Sequence, residues 1–170
     1  MTVEEIRLAR QLIPRFFARL QQEAFEVKSP RTTAYNCIGW AVGDDQNWWW
    51  PGGRYWPDGI RSDESIAAFA HAFGNLGYER CDSAEFELGF EKVALYVDDR
   101  LSVTHAVRQL PDGRWTSKLG PQWDINHSLE AVSGPQPGLL RVAQIMRRPV
   151  PVEGPASWLA PGRLWPAVRA

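Results

Sequence analysis

From Tyr78 onward the chain is a succession of short β-rich runs separated by turn formers, and its longer helical signals all lie before that point. The runs are Tyr78 to Cys81, Lys92 to Val97, Ser102 to Leu110, Arg114 to Lys118 and Leu139 to Met146. Pro111-Asp112-Gly113 stands between two of them, and glycine supplies the positive φ that a tight reversal needs, so this pair reads as a hairpin. Helices first and short antiparallel strands after predict an α+β domain, with N-terminal helices packed on a small antiparallel sheet.

Thr2-Val3-Glu4-Glu5 has the form of a capping box, and Ile6, Leu8, Ala9, Leu12, Phe16, Phe17 and Leu20 follow at roughly helical spacing, which predicts a first helix kinked or broken before Pro14. Residues 26–35 read as extended. Asn36 is a good N-cap for the apolar stretch Cys37-Ile38-Gly39-Trp40-Ala41-Val42, which stops at Gly43. Residues 44–59 alternate aromatics with turn formers and predict a long irregular loop. Ser62-Asp63-Glu64 starts a further helix with Ile66, Phe69, Ala70 and Phe73 on one face and Gly77 as its stop; a short helix is expected over Asn126 to Val132.

At 170 residues the chain can bury a core without staples, so it reads as one domain, 1–170, with its core over about 30–147 and a Pro/Trp-rich strap over 149–170. Nine tryptophans are several times ordinary usage, and five of them (Trp40, Trp48, Trp49, Trp50, Trp56) fall within seventeen residues. Net charge is −1 from 19 basic and 20 acidic side chains, which gives no footprint for a nucleic acid or an anionic membrane. The first residues lack a basic start followed by an apolar stretch, so the chain reads as cytoplasmic, with export by a dedicated secretion machine left open. In that setting Cys37 and Cys81 are expected to be reduced. No Cys-x-x-Cys or His-x-x-His spacing fixes two ligands on one element, and neither a metal nor a cofactor is expected.

A thiol is a strong nucleophile only as its thiolate, which a helix N-terminus favours through unpaired N–H groups; Asn36-Cys37 has that placement. The same N–H groups could hold an oxyanion. Among the histidines, His71 falls inside a helix and His127 begins a short one, whereas His105 sits mid-strand. With Leu110 opposite Arg114, Val107 opposes Ser117, and His105, Val107, Gln109, Trp115 and Ser117 share one face. Cys81, between Arg80 and Asp82, reads as structural.

Cysteine at a helix start after an extended segment, then histidine on the first strand of a hairpin, then a polar residue, resembles the chain order of papain-like cysteine hydrolases. The likeness is nearest in style to their bacterial NlpC-like branch. It is closer still to a group of uncharacterised bacterial proteins with Tyr-Asn-Cys-Ile-x-Trp-Ala and His-Ala-x-Arg-Gln…Gly-x-Trp-Thr-Ser-Lys-Leu-Gly segments, present here as Tyr35 to Ala41, His105 to Gln109 and Gly113 to Gly120. The resemblance implies a papain-like or NlpC-like fold, Cys37 as nucleophile and His105 as general base and acid. Papain-like enzymes usually place Asn, Asp, Gln or a second His on the following strand; this strand offers Thr116, Ser117 and Lys118, so Ser117 and Asp124 stand as equal choices for the orienting residue. Asn36 or a backbone N–H would replace the missing oxyanion glutamine.

Two functions follow as expectations. The first is a cysteine hydrolase or acyltransferase that forms an acyl-enzyme on Cys37 from a peptide, protein or small amide or ester substrate. The second is a non-catalytic peptide- or protein-binding module on the same fold, whose aromatic loop 47–56 grips its partner. Tyr35, Trp40, Trp48, Trp49, Trp50, Trp56 and Trp115 are the residues expected to line the groove.

Overall fold

The computed structural model describes residues 1–134 and 140–150. The strap expected over 149–170 lies, from residue 151 on, outside the described residues. The first helix, α1 (Val3–Phe16), begins with the capping box read from the sequence: Thr2 Oγ1 accepts from the Glu5 N–H at 3.1 Å and the Glu5 carboxylate accepts from the Thr2 N–H at 2.6 Å. Pro14 does not break it. The proline falls in the last turn, so its missing N–H costs one bond close to where the ladder ends, and a 3-10 turn over Ala18–Gln21 follows.

Helix α2 (Cys37–Val42) starts at Asn36 and ends at Gly43, whose φ of 84° is the left-handed cap that glycine adopts without a Cβ penalty. Helix α3 (Ile66–Gly74) starts later than expected. Ser65, not Ser62, is its cap, accepting from the Ala68 N–H, and Asp63 is spent on the Ser65 N–H.

The strands are β1 (Glu26–Val27), β2 (Glu79–Cys81), β3 (Phe90–Val97), β4 (Val103–Gln109), β5 (Trp115–Lys118), β6 (Asp124–His127) and β7 (Arg141–Pro149). They form one antiparallel sheet in the order β1-β6-β5-β4-β3-β7-β2. The protein is therefore α+β, as the order of elements predicts. Strand β6 corrects the helix expected over Asn126 to Val132: only Leu129–Val132 is helical, as a 3-10 turn, and Asp124 to His127 pair with β5. The hairpin register is as read, with Gln109 opposite Trp115 and Arg108 opposite Thr116.

Period-two alternation gives each strand two faces. On one face Val93, Leu95, Val97, Val103 and Ala106 pack against α2, α3 and Trp49. On the other, Ala94, Tyr96, Val107, Trp115 and Ile125 pack against Ala9 and Ile13 of α1 and Leu20 of the turn after it. The sheet thus separates two cores, one under the Cys37 helix and one under α1.

No helix among the described residues is long and apolar enough to cross a membrane.

Candidate functional site

Cys37 opens α2 as expected, but α2 packs on its face of the sheet and the residue is only 6% exposed within that core. Burial pushes the thiol up to about 11, against the smaller pull of the Ala106, Ile38 and Cys37 backbone N–H groups, which favour the thiolate. At neutral pH Cys37 is a neutral, covered thiol.

Asn36 is not free to meet an oxyanion. Its Oδ1 accepts from the Gly39 N–H at 3.1 Å and the Trp49 N–H at 3.2 Å, and its Nδ2 donates to the Trp49 carbonyl at 2.7 Å. The amide both caps α2 and staples the aromatic loop to it, a double duty that single-residue capping logic does not predict.

His105 lies on the other side of the sheet. Its ring meets Tyr96 edge-on at 5.7 Å between centroids, and Tyr96 belongs to the α1 core. Among the described residues no hydrogen bond joins Cys37 to His105, and the His105 Nε2 is buried without any partner. Burial, and to a smaller extent the nearby His127, hold the imidazole down at about 3, so it is neutral at pH 7. The sequence order that suggested a Cys–His pair is real, but alternation along β4 turns His105 away from the face on which α2 carries Cys37.

The two orienting residues go elsewhere as well. Ser117 shares the His105 face, yet its Oγ sits 2.8 Å from the Nε2 of His127, whose Nδ1 is 2.6 Å from the Ser128 carbonyl. Burial pulls His127 down to about 4, against the raising effect of its Ser128 contact. Asp124 is on the α2 face, where it accepts from Ser29 at 2.6 Å and from the Tyr35 hydroxyl at 2.7 Å and lies 3.7 Å from the equally buried Lys118 Nζ. Tyr35 is pushed up, chiefly by burial and then by this bond to Asp124.

The aromatic loop is a lid on a core. Trp49 is buried and donates its indole N–H to Asp44 at 2.7 Å; Trp50 and Trp56 both meet Phe69 of α3 edge-on, and their indole N–H groups go to Glu64 and the Arg61 carbonyl. Trp40 stacks on Tyr35 under Arg108 and donates to Thr116, while Trp115 is buried beneath α1. Trp48 is half-buried. Cys37, the loop and Trp115 therefore do not share one groove.

The opening beside the expected residues is on the His105 face. A cleft of about 240 Å³ is lined by Phe17, Asp98, Thr104, His105, Leu119, Gly120 and Leu140. Two irregularities make it. Between the pairs Tyr96–His105 and Val97–Val103, strand β4 carries one extra residue, Thr104, so a β-bulge brings Thr104 and His105 to the same opening. In addition, β4 and β5 pair only at residues 108 and 109 with 116 and 115, while β5 goes on with β6 through Lys118, which leaves a gap before Leu119 and Gly120. The Thr104 Oγ1, like the His105 Nε2, is buried with no partner.

Residues 26–146 match a family described as Domain of unknown function (DUF7689). The chain belongs to that family. The matched stretch runs from β1 into β7 and holds six of the seven cleft residues; only Phe17, at the end of α1, lies before it. No curated protein and no solved structure matches the chain. Among the described residues no cluster of three or more His, Cys, Asp or Glu side chains could hold a metal ion.

Sequence reasoning missed Phe17, Asp98, Thr104, Leu119, Gly120 and Leu140. Only His105 had a signal, as the one histidine placed mid-strand, and the bulge that gives it a cleft has no fixed sequence mark.

Proposed function

We propose that this domain is a small-ligand binding module whose site is the cleft at His105. One observation carries the reading: His105, only 6% exposed, and its neighbour Thr104 both line an open cleft, and the His105 Nε2 and the Thr104 hydroxyl are buried without a hydrogen-bond partner. A buried polar group without a partner costs about 1–3 kcal/mol, and two at one opening make sense as groups that a bound molecule satisfies. A cytoplasmic setting, in which both free cysteines stay thiols, fits the reading.

The binding reading keeps only the non-catalytic role expected from the sequence: it replaces the peptide or protein partner by a small ligand and moves the site away from loop 47–56. The rival, a cysteine hydrolase on a papain-like or NlpC-like fold, draws its support from the quoted residue strings and from Cys37 standing at a capped helix start. It needs the thiol and the imidazole to meet, and they face different cores.

Screening a library of small polar and amphipathic molecules against uniformly ¹⁵N-labelled protein tests the proposal. Hits are expected to move the His105 imidazole nitrogens and the Thr104 amide, and Thr104→Val is expected to weaken them about tenfold. Hits confined to the tryptophan loop, or alkylation of Cys37 faster than Cys81 with an inflection below pH 7.5, would overturn it.

A further inference from the structure

The chemistry of the cleft wall narrows the ligand, and this step rests on the binding reading above. Among the described residues the wall carries one acidic side chain, Asp98, and no lysine or arginine. The Asp98 Oδ1 accepts from the Arg100 and Ser102 N–H groups, both at 2.9 Å, whereas none of the hydrogen bonds among the described residues uses its Oδ2. His105 is neutral at pH 7 and so offers no countercharge to an anion. An anionic ligand would lose its water beside a carboxylate, with no charge to replace that water, which is a large penalty. A cation with N–H groups instead finds an acceptor carboxylate, in a wall whose Thr104 and His105 hold buried polar atoms without partners.

The remaining walls are apolar: Phe17, Leu119 and Leu140, with Gly120 leaving open space where a Cβ would stand. A volume of about 240 Å³ corresponds to roughly eight waters, smaller than the usual drug-sized site. We infer that the cleft takes a primary ammonium group carried on a compact branched or aromatic apolar body, the ammonium toward Asp98 and the body against Phe17, Leu119 and Leu140. A free small amine and the N-terminus of a peptide both present this chemistry.

The test titrates the full chain, ¹⁵N-labelled, with four probes: isopentylamine, a tripeptide beginning with leucine, the same tripeptide acetylated at its N-terminus, and isovalerate. Isopentylamine or the free tripeptide, or both, are expected to move the His105 and Thr104 signals, with binding at least tenfold tighter than for the acetylated peptide and for isovalerate. Binding by the amine alone assigns the site to small amines, and binding by the free tripeptide alone assigns it to peptide N-termini; either supports the inference. Asp98→Asn, which keeps the Oδ1 acceptor of the turn, is expected to cut the affinity of the amine probes at least tenfold. Equal binding of the free and acetylated peptides, or a preference for isovalerate, overturns the ammonium assignment and leaves the cleft reading standing. If no probe and no library member moves His105 in the folded chain, both fall.

Discussion

His105 and Ala106 are consecutive on β4, yet the ring of one lies against Tyr96 in the α1 core while the methyl of the other packs with Cys37 in the α2 core. The thiol therefore meets the strand one residue past the imidazole and on the wrong side of it.

The two cysteines should react in the reverse of the order a thiol enzyme would show. Cys81 is half-exposed at the edge of the sheet, whereas Cys37 is covered and held neutral up to about 11. With iodoacetamide at pH 7.5, peptide mass spectrometry is expected to show Cys81 modified at least tenfold faster. Cys37 should react at the rate of unfolding, with no inflection below pH 9.

Acid should unfold the protein through its buried histidines. His105 and His127 titrate near 6.5 when unfolded but at about 3 and about 4 in the fold, so below pH 6.5 the unfolded chain binds more protons than the folded one. Their neutral burial costs nothing above pH 6.5, and stability falls as pH drops from there toward 4, by up to ~1.4 kcal/mol per pH unit for each ring. Urea midpoints between pH 7 and 4 measure it. His127→Gln, which can still bond Ser117, is expected to flatten the slope.

Removing the charge partner of Asp124 should be costly. Lys118 and Asp124 are both fully buried, and Lys118 also donates to the Gln122 carbonyl. Lys118→Met leaves a buried carboxylate unpaired, an expected loss of about 3–5 kcal/mol. Adding Asp124→Asn removes that charge while keeping an acceptor for Tyr35 and Ser29, so the double variant is expected to recover part of the loss in urea unfolding.

Gly39 should tolerate no side chain. A Cβ there would stand 2.6 Å from the Asn47 carbonyl oxygen and 2.8 Å from that of Asp44, both backbone atoms of the aromatic loop. Gly39→Ala is expected to cost about 1–3 kcal/mol, and Trp49→Ala about 3–5 kcal/mol, in thermal or urea unfolding. A neutral effect of either would mean that the loop is not packed on α2.

The sequence showed the α+β order, the α1 capping box, the Asn36 cap, the hairpin register and the shared face of His105, Val107 and Trp115, because each follows from local residue chemistry or from period two. The helical start at Ser65 was misplaced because Ser62-Asp63-Glu64 offers equally good cap residues three positions earlier. Strand β6 was misread because Asp124-Ile125-Asn126-His127 has little strand propensity and is held by pairing to β5. The site was misassembled for a different reason: a sequence states which face of a strand a residue takes only relative to its neighbours, not which layer covers that face.

The extra residue at Thr104 limits how this strand can vary in length. A strand that alternates strictly places two successive polar side chains on opposite surfaces, and the insertion suspends that rule for one step. Val103 and Ala106 thereby stay anchored under one layer while the two residues between them are presented together to the other. Lengthening or shortening β4 by one position would exchange what the two layers receive, so a one-residue change of length here would disturb both cores at once.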